Sequence, residues 1–562
     1  MEALRPAPGA GSKTEWLLTF TVALALLIPS ASLVWRFSDV PSFGDLHDDS
    51  VYYASAKSLA GGGPYRIESL PGEPAQTKYP PLYPLLLSTA WRIDPSFPGN
   101  LPIAAWLSWL AIPAIVLQLA WLFPKWGFSR RQTWVLLALF ALNPYVLLFG
   151  AQLLSETLFL ALVLGAMLLV DRGVARESLP LILGAGIVGG LAYLTRSAGI
   201  ALLFGAIVYL WITGRERAKQ ILYFITGMLP FIAGWMLWSR MHQTTTNDPA
   251  LLYYLDYFRY QLYAVSFSDL HLVLWKNADG LLWGMGSLIV PRVADSILIK
   301  DLSLALAVAM IAGVVRLVRA GHGRLFALFA FFSCGLLLVW HYPPNERFVL
   351  PLFPLALAGL VTEADHFIGL LRGALRHKQR DQRVVAKLMM ACAGCFAVAI
   401  LGLQAYVGIV YLPQNLVEKR AAKRERQASY EWVRANTPAD ATILSADDPS
   451  MYLYTGRHAM RRTLPASLWY RSDHTAMVDW FSHVEPFAQQ HGLAYFDFAG
   501  VDIAQGLDDD DRDAVAKAVK DSAGLAPLFH QGPVTFFGVR PAASDVRRSA
   551  SRPHTTDLPP TR

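Results

Sequence analysis

Long apolar runs alternate with short polar tips over the first 412 positions. The runs cover residues 16–35, 101–123, 134–149, 153–170, 179–194, 200–212, 221–238, 302–315, 325–340, 348–361 and 388–412. About 20 apolar residues in a helix cross the hydrocarbon core of a bilayer. Eleven such runs predict a polytopic α-helical membrane protein. A twelfth apolar stretch, 281–290, is short and holds Gly284 and Gly286, so it reads as a re-entrant or interfacial piece. The run after Pro84, ending at Trp91, is also too short to span and reads as a helix along the membrane surface.

Composition agrees. The chain has 562 residues, 54% hydrophobic and 16% charged, against roughly 25% charged in a soluble globular protein. The net charge of +7 does not point to nucleic acid, because the basic residues sit beside the apolar runs, where they orient helices. Ser30-Ala31-Ser32 offers the small residues of a signal cleavage site, but many spans follow, so the first run reads as an anchor. With the N-terminus inside, the cytoplasmic tips collect Lys125, Arg130 and Arg131, then Arg172 and Arg176, then Arg215, Arg217 and Lys219. Arg316, Arg319 and Arg324 follow, and last Arg372, Arg376, Lys378, Arg380, Arg383 and Lys387. The short outer tips hold only Arg196 and Arg347. Counting 281–290 as a span would put Arg316, Arg319 and Arg324 outside. An odd number of spans places everything after Leu412 outside.

The expected organisation is thus a transmembrane region over 1–412 with a long first outer loop at 36–100. An extracytoplasmic α/β domain follows over 413–540, with a disordered tail at 541–562. Within the α/β domain, 424–434 and 513–520 read as helices and 441–444, 493–498 and 534–539 as strands. The acidic run 508–511 suits a helix N-terminus and lacks the glycine-centred loop and closing Glu of a calcium site. Cys392 and Cys395 form a lone C-x-x-C inside an apolar run and read as a packed helix face, not a redox or metal site.

The candidate chemistry gathers on the outer side. The first outer loop carries Asp48 and Asp49 just before an expected short helix at 50–59, and one acid suffices to cap it. Lys78 follows in Lys78-Tyr79-Pro80-Pro81-Leu82. Glu156, Arg196, His341 and Arg347 occupy other outer tips. Ionisable groups at membrane depth are costly; any one of these could equally be a structural pair or a snorkelling group, and it is their emergence together on one face that points to a site. Carboxylates can take the proton of an attacking hydroxyl, and cations can neutralise a departing phosphate. No G-x-x-x-x-G-K-[ST] phosphate loop is present, so a donor carried in the membrane suits this face.

On these residues the chain resembles the GT-C superfamily of membrane glycosyltransferases. Within it, the likeness is to bacterial proteins related to aminoarabinose transferases and protein O-mannosyltransferases. The likeness covers most of the membrane region. Asp48-Asp49-Ser50-Val51-Tyr52 matches the family's Asp-Glu-x-x-Tyr, with Asp in place of the usual Glu. Ser155-Glu156, Thr195-Arg196 and Arg347-Phe348-x-x-Pro351 are also family-like. The resemblance implies that Asp48 is the base, with Asp49 beside it, and that Lys78 contacts the donor phosphate. Arg196 and Arg347 are assigned to the same phosphate, and Tyr52, Glu156 and His341 to substrate positioning. It further implies inverting transfer from a polyprenyl-phosphate sugar to a glycan, lipid or protein acceptor in the cell envelope. The chain would lie in the inner membrane, in contact with the lipid bilayer. No cofactor is required by this residue set, although a divalent metal held by Asp48, Asp49 and Glu156 is an alternative. The rival reading is a lipid-linked sugar transporter or flippase. Transporters place charges near the midplane on broken helices in repeated halves; here no repeat is visible and the charges cluster at one face.

Overall fold

The computed structural model describes residues 13–256, 259–260, 265–294, 296–376, 380–499 and 507–541. Among them, seven helices are long and apolar enough to cross a membrane, or eight if a bent pair is one span. Three shorter apolar helices, Leu179–Thr195, Ser197–Thr213 and Arg324–Leu338, accompany them. Together these overlap the eleven apolar runs of the sequence, and the chain is a multi-pass membrane protein.

The bent pair, Arg130–Ala141 and Pro144–Gly150, turns by 56° at its break. Pro144 cannot donate a helical hydrogen bond, and the residue before a proline is pushed out of the helical region. Asn143 therefore leaves the helix and caps the next one, its side chain accepting from the Tyr145 N–H at 3.0 Å. The last long helix runs over Asp381–Asn436 and leaves almost none of its apolar window buried.

Within 281–290, Leu281–Ser287 is the last part of the helix Leu270–Ser287, which is not among the candidate spans. Its glycines are points of close approach. A Cβ on Gly286 would lie 1.8 Å from the Ser303 carbonyl oxygen, and one on Gly284 would lie 3.0 Å from Asn345 backbone. Cys392 and Cys395 do not pack but are exposed. Asp48 and Asp49 do not precede their helix; they form the first turn of Asp48–Ala60. That helix packs against Leu82–Ile93, which buries Tyr83, Leu87, Ala90 and Trp91 and leaves Leu85 and Ile93 exposed.

The chain divides into two compact units. One comprises Met1–Arg66 with Ala75–Ala421; the other comprises Ile67–Pro74 with Ala422–Arg562. The second unit holds a five-stranded sheet in the order β2-β1-β3-β5-β4. Its strands are β1 (Thr442–Ser445), β2 (His458–Met460), β3 (Tyr495–Ala499), β4 (Leu525–Gln531) and β5 (Val534–Val539). β1 pairs parallel with β2 and β3, and β5 pairs antiparallel with β3 and β4. Helices Leu412–Asn436 and Asp509–Asp521 extend beyond the expected 424–434 and 513–520. The core gathers Tyr430, Val433, Ile443, Met451, Ala459 and Phe536. Within this unit the Ala459 N–H donates to the Ser69 carbonyl at 2.8 Å, so the 67–74 segment lies against edge strand β2. Residues 542–562, most of the expected disordered tail, lie outside the described residues.

Candidate active site

The site starts from a strained turn. Gly44 has φ 96° and His47 has φ 61°, a left-handed value costly for a residue with a Cβ. The turn is held from inside by Asp49, whose Oδ2 accepts the Gly44 N–H at 3.0 Å and whose Oδ1 accepts the Ser50 N–H at 2.9 Å. Successive helical residues point about 100° apart, so Asp48 faces elsewhere. It accepts a hydrogen bond from the Tyr79 hydroxyl, and its Oδ2 accepts from Arg347 Nη2 at 2.6 Å. One acid builds the loop and its neighbour faces the other elements.

Tyr52 lies one turn on from Asp48 and shares its face. Its hydroxyl is 3.2 Å from Ser155 Oγ, and its ring meets Tyr79 and Tyr83 edge-on at 5.0 and 5.3 Å. Ser155 and Glu156 open the helix Ser155–Ala175. Glu156 is 1% exposed and is gripped by two cations, Arg196 at 2.7 Å and the Nε of Arg347. Arg196 also donates to Ser155 at 3.0 Å. It sits in extended backbone just past Leu179–Thr195, where the chain doubles back so tightly that a Cβ on Gly199 would lie 2.7 Å from Tyr193. Arg347 begins its helix under a cap from Asn345, which accepts the Arg347 N–H at 3.1 Å. Next to it Glu346 pairs with Arg292 at 2.5 Å and accepts from Ser287 at 2.6 Å, locking that turn in place.

Asp48, Tyr52, Glu156, Arg196 and Arg347 thus form one connected cluster. Arg196 and Arg347 are not the lone cations that the sequence suggests; they share Glu156, and Arg347 reaches Asp48 as well. Lys78 is buried, with its Nζ 3.7 Å from the Tyr253 ring centroid and 5.0 Å from that of Tyr79. His341 is enclosed by Trp340, Tyr342 and Tyr260, with ring centroids 4.8, 4.9 and 5.8 Å away. Tyr79, Ser155 and Tyr253 are contributors that the sequence did not single out. Tyr79 adjoins Lys78 in Lys78-Tyr79-Pro80-Pro81-Leu82, so its position was the signal; Tyr253 had none.

The electrostatics of the acid pair set its two carboxyls apart. Burial alone would raise Asp48, but Arg347, then Lys78 and the Tyr79 hydroxyl outweigh it and hold the carboxyl well below the usual range. Asp49 is pushed up to about 7, chiefly by burial, against the pull of the Gly44 and Ser50 N–H groups. His341 is lowered to about 3 by burial, reinforced by Lys78, and is neutral at pH 7. For a divalent ion shared by Asp48, Asp49 and Glu156, the geometry is unfavourable. Arg347 bridges Asp48 and Glu156, and Asp49 turns both oxygens to backbone N–H groups. Among the described residues, the acidic or histidine side chains that do converge are His474, Asp508 and Asp511, in the second unit.

Residues 61–255, about a third of the chain, match a family described as "Predicted membrane protein (DUF2142)". No curated protein matches the sequence. Among solved structures, ArnT from Cupriavidus metallidurans bound to undecaprenyl phosphate aligns over 94% of this chain and 98% of its own. The TM-score is 0.50 and the identity 12%. The Archaeoglobus fulgidus oligosaccharyltransferase tethered to an acceptor peptide aligns over 93% of this chain and 74% of its own, at TM-score 0.43 and 12% identity. Taken with the order of the helices and the terminal α/β unit, the likeness to ArnT gives this chain the GT-C membrane fold.

Proposed function

We propose that this protein transfers a sugar from a polyprenyl-phosphate carrier to an acceptor hydroxyl at the membrane face that bears Asp48, with inversion at the anomeric carbon. The carrying observation is Arg347, which joins Asp48 and Glu156 in one buried cluster beside Lys78. The fold of a protein that binds undecaprenyl phosphate supports the choice of donor. N-terminus inside and site outside is the orientation that the basic tips favour.

Asp48 is ionised and accepts the acceptor's proton. The acceptor oxygen bonds to the anomeric carbon as the bond from that carbon to the phosphate oxygen breaks. Lys78, Arg347 and Arg196 receive the charge that develops on the phosphate, where fixed cations stabilise the transition state most. A carboxyl held so low is a weak base. A donor phosphate that takes Nη2 of Arg347 would release Asp48 and raise its basicity as the donor arrives. Neutral His341 and Tyr52 line the sugar side, and Glu156 keeps the two arginines in place. The transporter reading is less well supported, because these charges gather at one end of the helices and not at mid-depth.

The test is purified protein in detergent, given a polyprenyl-phosphate sugar labelled in the sugar. Acceptor-dependent release of polyprenyl phosphate is the expected result. Movement of intact donor across a bilayer with no cleavage would overturn the reading in favour of transport.

A further inference from the structure

The helix Ser155–Ala175 carries Glu156 at one end and Arg172 at the other, about 24 Å apart at 1.5 Å per residue. That separation approaches the thickness of a bilayer core, so the far end of this helix lies at the opposite membrane face. A cavity of about 630 Å³ opens there, lined by Trp121, Lys125, Arg172, Ala175, Arg176 and Leu181. It sits where the spans Leu101–Lys125 and Ser155–Ala175 end.

Two cations converge on one ring in it. Lys125 Nζ is 3.4 Å and Arg172 Cζ 4.3 Å from the Trp121 ring centroid. The indole face attracts each of them, but they repel one another, and Arg176 adds a third positive charge. Few acids offset this. Glu177 is taken by Arg215 at 2.5 Å. Asp171, which attracts Lys125, is also bound by the Tyr209 hydroxyl at 3.1 Å. Among the described residues, no ion pair joins Lys125, Arg172 or Arg176 to a carboxylate. An anion between the cations would relieve the repulsion. Leu181, Ala175 and the indole give the same cavity an apolar side, and tryptophan at span ends suits the headgroup level.

We propose that this cavity binds the phosphate headgroup of an anionic phospholipid in the leaflet opposite the candidate active site. Phosphate would sit between Lys125, Arg172 and Arg176, with the glycerol end toward Leu181. Basic pockets between membrane helices hold anionic headgroups in this way.

The test uses the delipidated full chain, with phosphatidylglycerol and phosphatidylcholine as probes and bound lipid counted by native mass spectrometry. Wild type should prefer phosphatidylglycerol by at least about 10-fold. Lys125→Gln/Arg172→Gln/Arg176→Gln should lose that preference. Arg372→Gln/Arg376→Gln/Lys387→Gln, the same change of charge at exposed positions elsewhere in the sequence, should keep it. No preference in wild type, or equal loss in both variants, would overturn the site. Displacement of the lipid by about 10 mM inorganic phosphate, where the Debye length is still roughly 20 Å and close charges are weakly screened, would make the ligand a soluble phosphate and overturn the lipid.

Discussion

Arg347 donates a 2.6 Å hydrogen bond to Asp48, 299 positions earlier in the chain. A single guanidinium thereby ties the helix Asp48–Ala60 to the start of a late span, and through Glu156 to a third element. The pairing sets Asp48 apart from Asp49, whose oxygens turn back to the Gly44 and Ser50 N–H groups.

Asp48→Asn keeps the size of the side chain and removes the base. Turnover of a polyprenyl-phosphate sugar should fall by about two orders of magnitude or more, with donor binding retained. Asp49→Asn should be milder, acting through the turn that it holds at Gly44 and Ser50. Normal turnover in Asp48→Asn with loss in Asp49→Asn would move the base to Asp49.

Arg347→Ala and Arg196→Ala should separate in steady-state kinetics. Both raise the KM for donor, since each removes a phosphate cation. Only Arg347 touches Asp48, so only its loss lets burial raise that carboxyl. The acidic limb of the kcat/KM profile, which reports the enzyme before the donor binds, should therefore move to higher pH in Arg347→Ala and stay in place in Arg196→Ala.

Glu156→Gln leaves two arginines without their shared carboxylate. Breaking a buried ion pair costs about 3 kcal/mol. Thermal unfolding in detergent should fall markedly for Glu156→Gln, and less for Arg196→Ala, which leaves Glu156 paired with Arg347. Equal stability of Glu156→Gln and wild type would show that the cluster is not what holds these helix ends.

Asp49 should give the fold a pH dependence. Its carboxyl is raised to about 7 in the folded protein, from an ordinary value near 4 when unfolded. The folded state then holds a proton that the unfolded state releases. The stabilising contribution is full below about pH 4 and is lost as pH rises through about 7. Asp49→Asn removes that slope, so variant and wild type should agree most closely in acid, part as pH rises from about 4 to about 7, and keep a constant difference above that. Parallel melting profiles from pH 5 to 8 would exclude the effect.

Orientation is open to a direct measurement. Reporter fusions after Gln382 and after Asn415 should locate on opposite sides of the membrane. The same side for both would break the parity from which the outward site was deduced.

Much of this architecture was legible because a bilayer imposes one simple rule, length of apolar run, on every span. The rule faltered where polar contacts decide. Gly284 and Gly286 look like helix breakers in sequence, yet they let Leu270–Ser287 press against Asn345 and Ser303. The acids and bases of the site were visible one by one, but not their pairing. Glu156 between Arg196 and Arg347 depends on three helix ends meeting, and no local pattern encodes that. The short strand β2 and the proline-bearing β4 carry too little alternation to stand out.

The eight residues 67–74 belong with the sheet-bearing unit although the chain on either side of them belongs with the membrane unit. The backbone therefore passes between the units three times, not once. A terminal domain joined by one passage can be lost, exchanged or acquired by a single recombination event downstream. This one cannot be moved that way. A graft of residues 422–541 onto another membrane core would leave the edge of β2 without the segment that donates Ser69, unless a loop some 350 positions upstream, a distance set roughly by the chain between Pro74 and Ala422, were carried along with it. Substitution within residues 67–74 is therefore constrained by a sheet whose strands lie between positions 442 and 539.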